Sequence, residues 1–149
     1  MIAWDDITAA IGLALSGEGE RGAQRLRGLW EQTRDPDHAQ RCVLAHYLAD
    51  LEAELDDEVA WDERALAEYP HVRDEDLAPV GIASAAGLAP SLHLNLGDGY
   101  LRQGQTREAQ AQLDAGLASA DALPDDGYGA MIRQGLLRLA DRVAEVTGT

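Results

Sequence analysis

Apolar residues recur every three or four positions along most of this chain, with acids, arginines and glycines between them. That spacing is the mark of amphipathic helices. Ile7, Ile11, Ala14 and Leu15 form a first stripe, with Asp5 or Asp6 placed to cap its helix and "SGEG" (16–19) to break it. A second helix is expected over about 20–33, with Ala23, Leu26, Trp30 and Thr33 on one face. "RDPD" (34–37) stops that helix and starts another, Asp35 serving as cap and Pro36 fitting the first turn. The third helix, about 36–53, carries Ala39, Cys42, Val43, His46, Tyr47, Ala49 and Leu51. Those positions wrap more than half the circumference, which predicts packing on two sides. The fourth, about 58–69, follows the acidic turn "LDDE" and shows Val59, Trp61, Ala65, Leu66 and Tyr69.

Residues 70–89 break the rhythm and read as a loop with a short helix. Pro90 then opens a fifth helix, about 90–103, which Gly104 ends. A sixth runs over about 105–121. After the turn "LPDDGYG" (123–129), a last helix over about 128–146 has the stripe Ile132, Leu136, Leu139, Val143 and Val146. No run alternates polar with β-branched residues, which argues against a sheet. The expected fold is therefore all-α, with about seven helices in one domain of 149 residues. Short connections make neighbours antiparallel, so the helices form either a closed bundle or a stack of hairpins.

The stretch "HLNLGDGYLRQGQTREAQAQL" (93–113) chooses between those two. It sets Leu96, Gly97 and Tyr100 on one helix and Ala109 and Leu113 on the next, with Gly104 between, which suits a helical hairpin whose two arms cross closely. A crossing needs a missing side chain, which Gly97 supplies at a helix-propensity cost of about 1 kcal/mol relative to Ala. Ala109 would face it with little bulk, Leu96 and Tyr100 would form the packing ridge, and Gly104 would turn the chain. Gly99 lies outside this pattern. Over about 90–123 the chain resembles the tetratricopeptide repeat family, whose signature is Trp-x2-Leu-Gly-x2-Tyr, later Ala-x3-Phe and then Pro. His93 stands for the Trp, Leu113 for the Phe, and Pro124 comes a few residues late. The resemblance implies a short α-solenoid: hairpins over about 5–33, 36–69 and 90–121, an insert over 70–89, and a closing helix over 128–146. Arg133, Gln134, Arg138, Asp141 and Glu145 would give that last helix the polar face of a cap.

The resemblance also implies a role, since such repeats bind peptides or protein segments along a concave groove lined by the first helix of each hairpin. On the fifth helix Ser91, Asn95, Asp98 and Arg102 form one polar line beside the Leu96/Tyr100 ridge. An Asn amide can hold a peptide backbone, and an Arg can clamp a carboxylate. The same line is equally a solvated helix face. Family members that clamp a carboxylate use lysines, and this chain has none, which argues against that variant. The alternative role is self-association, as a homodimer or with the insert filling the groove.

Charge and chemistry narrow this further. The net charge of −15 opposes a phosphate backbone, so no nucleic-acid partner is expected. Cys42 is the lone cysteine, no apolar run is long enough to span a bilayer, and the N-terminus lacks a basic leader. Cytoplasmic residence without a membrane partner follows as the expectation. His38, Cys42 and His46 recur at helical spacing, but one cysteine makes core packing the simpler role. No serine elbow, phosphate loop, metallo-helix or dinucleotide turn appears, so neither an enzyme nor a cofactor is expected.

Overall fold

A computed structural model describes residues 1–148. Among them are the helices α1 (Trp4–Leu15), α2 (Gly19–Gln32), α3 (His38–Asp50), α4 (Leu55–Glu68), α5 (Ala89–Arg102), α6 (Thr106–Ser119) and α7 (Gly127–Thr147). Short 3-10 segments cover Tyr69–His71, Asp74–Val80 and Ala120–Ala122. The fold is all-α, with no strand among the described residues. The chain divides into two compact units, Met1–Ala83 and Ser84–Thr149. The boundary falls inside 70–89, the stretch whose sequence breaks the helical rhythm.

In the first unit α1 pairs with α2 and α3 with α4. Helix α1 begins at Trp4 after Ala3, so Asp5 and Asp6 sit in its first turn rather than at its cap. Acids there suit the positive end of the helix dipole. Its buried residues are Ile7 and Ala10, while Leu15 stands 75% exposed, against expectation. The reason is where α2 crosses: a methyl on Gly22 would lie 2.7 Å from Ala14 N. Leu15 is about 100° further round and points off that contact. Helix α3 starts at His38, two residues later than Pro36 suggests. The Asp37 carboxylate instead accepts the Arg34 N–H at 2.9 Å and stabilises the turn before it. Once begun, α3 is enclosed on nearly every side: Ala39, Gln40, Cys42, Val43, Leu44, Ala45, Leu48 and Ala49 are all buried. It packs against α1, α2 and α4, so an amphipathic stripe would not suffice.

In the second unit α5 and α6 form a hairpin and α7 packs on both. Gly104 turns the chain at φ +80°, and the Gln105 N–H closes that turn on Tyr100 O at 2.8 Å. At Gly97 an added methyl would lie 3.3 Å from Gln112 Cβ, 3.6 Å from Ala109 O and 2.9 Å from Leu139 Cδ2. The gap therefore admits two neighbours, α6 and α7. The core joins Ala109, Leu113, Leu123, Ile132, Leu136, Leu139 and Val143, with Tyr100 packed against it. Val146 is 61% exposed, so the stripe on α7 ends at Val143 and the helix outlasts it by a turn. Asp126 caps α7 by accepting the Gly129 N–H at 2.9 Å.

Candidate functional site

The polar line on α5 is partly sunk. Ser91 is 3% exposed, and its hydroxyl hydrogen-bonds the Tyr128 hydroxyl at the start of α7. Asn95 and Asp98 are half-buried, and Arg102 is exposed. Asp98 is the centre of the group: Oδ2 accepts from Arg102 Nε at 2.9 Å, and Oδ1 accepts from Arg142 Nη1 at 2.7 Å. Two exposed guanidinium groups thus converge on one carboxylate. Arg142 lies 44 residues along the chain from Asp98, and no local pattern marks it. Of the repeat-like positions, Leu96, Gly97, Ala109 and Leu113 are buried, Tyr100 is half-buried and Gly104 is exposed.

The first unit carries a denser set of polar contacts at the start of α3. His38 Nδ1 donates to Glu68 Oε2 at 2.6 Å, and Arg41 Nε donates to Glu68 Oε1 at 2.9 Å. Burial works to raise the Glu68 carboxyl, but the bonds from His38 and Arg41 outweigh it and hold Glu68 below the ordinary glutamate range. Arg41 also donates to Thr33 Oγ1 at 2.9 Å and stacks 4.1 Å over the Trp30 ring. Trp30 meets Trp61 edge-on at 5.0 Å. The bond to Glu68 fixes one His38 nitrogen as a donor, and the ring lies 4.5 Å from that of His71.

Beside this network is a cavity of about 600 Å³, walled by Trp4, Asp37, His38, Gln40, His71 and Arg73 among others. Gln40 is 2% exposed. Its Nε2 donates to Ile2 O at 2.8 Å, while its Oε1 is buried with no hydrogen-bond partner. Arg73 sits on the rim with Asp76, whose carboxyl lies below its ordinary range because the Arg73 backbone N–H and guanidinium both donate to it. None of this was visible in the sequence, where Gln40 reads as one more polar helix residue.

The remaining candidate chemistry is spent on packing. Cys42 is fully buried, and burial, with the Glu68 charge nearby, pushes its thiol up to about 12. Desolvation lowers His46 to about 4. Among the described residues no group of three His, Cys, Asp or Glu could hold a metal ion, and no helix is long and apolar enough to cross a membrane. No protein-family model matches the chain, and no curated protein and no solved structure matches it.

Proposed function

We propose that this chain is a non-enzymatic helical-repeat protein of the tetratricopeptide type that binds a protein or peptide segment along α5. The observation that carries this reading is the crossing at Gly97, which comes close to Ala109 and Gln112 of α6, while the repeat-like Leu96, Ala109 and Leu113 are all buried. The half-buried Asn95 and the Asp98–Arg102–Arg142 group then supply directed donors and acceptors on the adjoining surface. Residence in the cytoplasm belongs to the same proposal and is supported by the single, buried cysteine.

The test is a double variant, Asn95→Ala with Arg102→Ala. Both positions lie outside the core, so the melting temperature should stay close to that of the unaltered protein. A partner recovered by the unaltered protein should no longer be recovered by the variant. Undiminished recovery would remove α5 as the binding face. Light scattering across concentration separates this reading from self-association, which requires mass to rise with concentration.

A further inference from the structure

Helix α7 has two faces. One carries Ile132, Leu136, Leu139 and Val143 into the core of its unit. The other is turned outward, and Leu137 stands 56% exposed on it. Leu137 is the middle residue of the 21 in α7, so its exposure does not come from a helix end. Ala130 and Ala144 lie seven residues before and after it, a spacing that returns each to the same face. Neither has the bulk to hold another helix away. Gly135, two residues before Leu137 and so nearly opposite it on the helix, is where Leu94 of α5 reaches in. The Leu137 face is therefore turned away from α5 and its polar line.

The charges on this face are also arranged about Leu137. Arg133 precedes it by four residues and Asp141 follows it by four. Consider a two-fold axis through Leu137 that sets two copies of α7 antiparallel. It brings Arg133 of each copy level with Asp141 of the other, so opposite charges meet twice. It also sets Ala130 level with Ala144 and Leu137 on Leu137, and it pairs the helix over its full length. Asp141 is exposed and has no ion-pair partner among the described residues. Arg133 spends its guanidinium on carbonyls, Leu123 O at 3.2 Å and Pro124 O at 3.4 Å, the long end of the hydrogen-bond range. A carboxylate is the stronger acceptor for it. Charge further says which surface two copies can share. Chains of net charge −15 repel each other, yet α7 carries Arg133, Arg138 and Arg142 against Asp141 and Glu145, an excess of one positive charge. We propose that two copies of this chain associate through α7 as an antiparallel, two-fold pair centred on Leu137. A foreign partner has no reason to match a pattern symmetric about one residue, whereas a second copy of α7 matches it automatically.

A helix of 21 residues is roughly 30 Å long, and one such pair buries less than a standard interface of about 1,600 Å², so the expected dissociation constant is about 10–100 μM. Sedimentation equilibrium of the full chain from about 1 μM to about 1 mM tests this. The weight-average mass should climb from 16.0 kDa toward twice that value. Leu137→Glu should weaken association about tenfold or more at an unchanged melting temperature, because the side chain lies outside the core. The charge arrangement has its own test. Arg133→Glu and Asp141→Arg should each associate about tenfold more weakly alone, since like charges then face each other. An equimolar mixture of those two variants restores opposite charges at both levels and should recover the affinity of the unaltered chain. If Arg133→Glu melts early through loss of its carbonyl bonds, Leu137→Glu and Asp141→Arg, both at exposed positions, still decide. Asn95→Ala with Arg102→Ala should dimerise like the unaltered chain, which keeps this inference separable from the α5 reading. A constant mass of 16.0 kDa up to about 1 mM would overturn the proposal. So would association that Leu137→Glu leaves intact, which places the contact elsewhere, α5 included. A mixture that associates no more tightly than either charge variant alone would overturn the antiparallel pairing.

Discussion

The two units of this molecule lean on different means to solve the same packing problem, though α1 and α2 of the first also meet closely at Gly22. In the first, α3 is surrounded, and bulk fills the space: Leu44 and Leu48 are completely buried beside Ala45 and Ala49. In the second, neighbours come together through absences. Gly97, Gly116 and Gly135 each leave a gap into which a leucine from another helix reaches, Leu139, Leu136 and Leu94 respectively. A core filled by bulk is sensitive to losing it, and a core built on gaps is sensitive to filling them. The polar chemistry divides too. The first unit buries its hydrogen-bonding groups around Glu68 and Gln40, whereas the second keeps its main ion cluster, at Asp98, near the surface.

Substitutions can break or sharpen this contrast. The largest effect is expected from Leu44→Ala, which removes a fully buried side chain from α3 at a cost of about 3–4 kcal/mol. Hydrogen exchange should then show residues 1–83 losing protection; equal loss across 84–148 would mean that the two units do not respond separately. Next comes Gly97→Leu, which should cost about 3 kcal/mol by overpacking, since Leu139 and the Gln112 Cβ both occupy the space. A denaturation midpoint equal to that of the unaltered chain would place the crossing elsewhere.

Acid should separate the units at smaller cost. Desolvation gives folded His46 a pKa of about 4, below its ordinary value of 6.5. The unfolded chain therefore binds a proton first as pH falls. The contribution of neutral His46 is complete above pH 6.5 and is lost progressively down to about 4, at most about 3 kcal/mol. Glu68, depressed in the fold, adds a further loss only below the ordinary glutamate range. Both groups are in the first unit, so exchange protection there should fall between pH 6.5 and 4, and His46→Leu should flatten that fall. The smallest effect is expected from Gly135→Ala. The three atoms nearest an added methyl all belong to the flexible Leu94 side chain, with Cδ2 the closest at 2.7 Å. A gain of about 1 kcal/mol in helix propensity should nearly offset that crowding. A loss as large as that of Gly97→Leu would show that Leu94 is as fixed as backbone.

The sequence alone determined which segments become helices, because periodic burial and turn residues are local properties. Gly104 reads as a turn and has the positive φ that favours glycine. Gly97 reads as a close approach and is one, although sequence pointed to α6 and not to the added neighbour on α7. Boundaries drifted where local signals conflicted: Pro36 suggested an earlier start for α3 than His38, and Leu15 and Val146 extended stripes beyond the helices that could cover them. The candidate site was legible only in part, as a polar line whose depth was hidden. Buried Ser91 bonds Tyr128 across 37 residues, and the pairing of Asp98 with Arg142 spans 44. Gln40 meets Ile2 across 38 residues, and its amide oxygen is buried without a hydrogen-bond partner. Helix formation follows from neighbours in the chain. A cavity and the polarity of its walls follow from neighbours in space, and those only tertiary packing could decide.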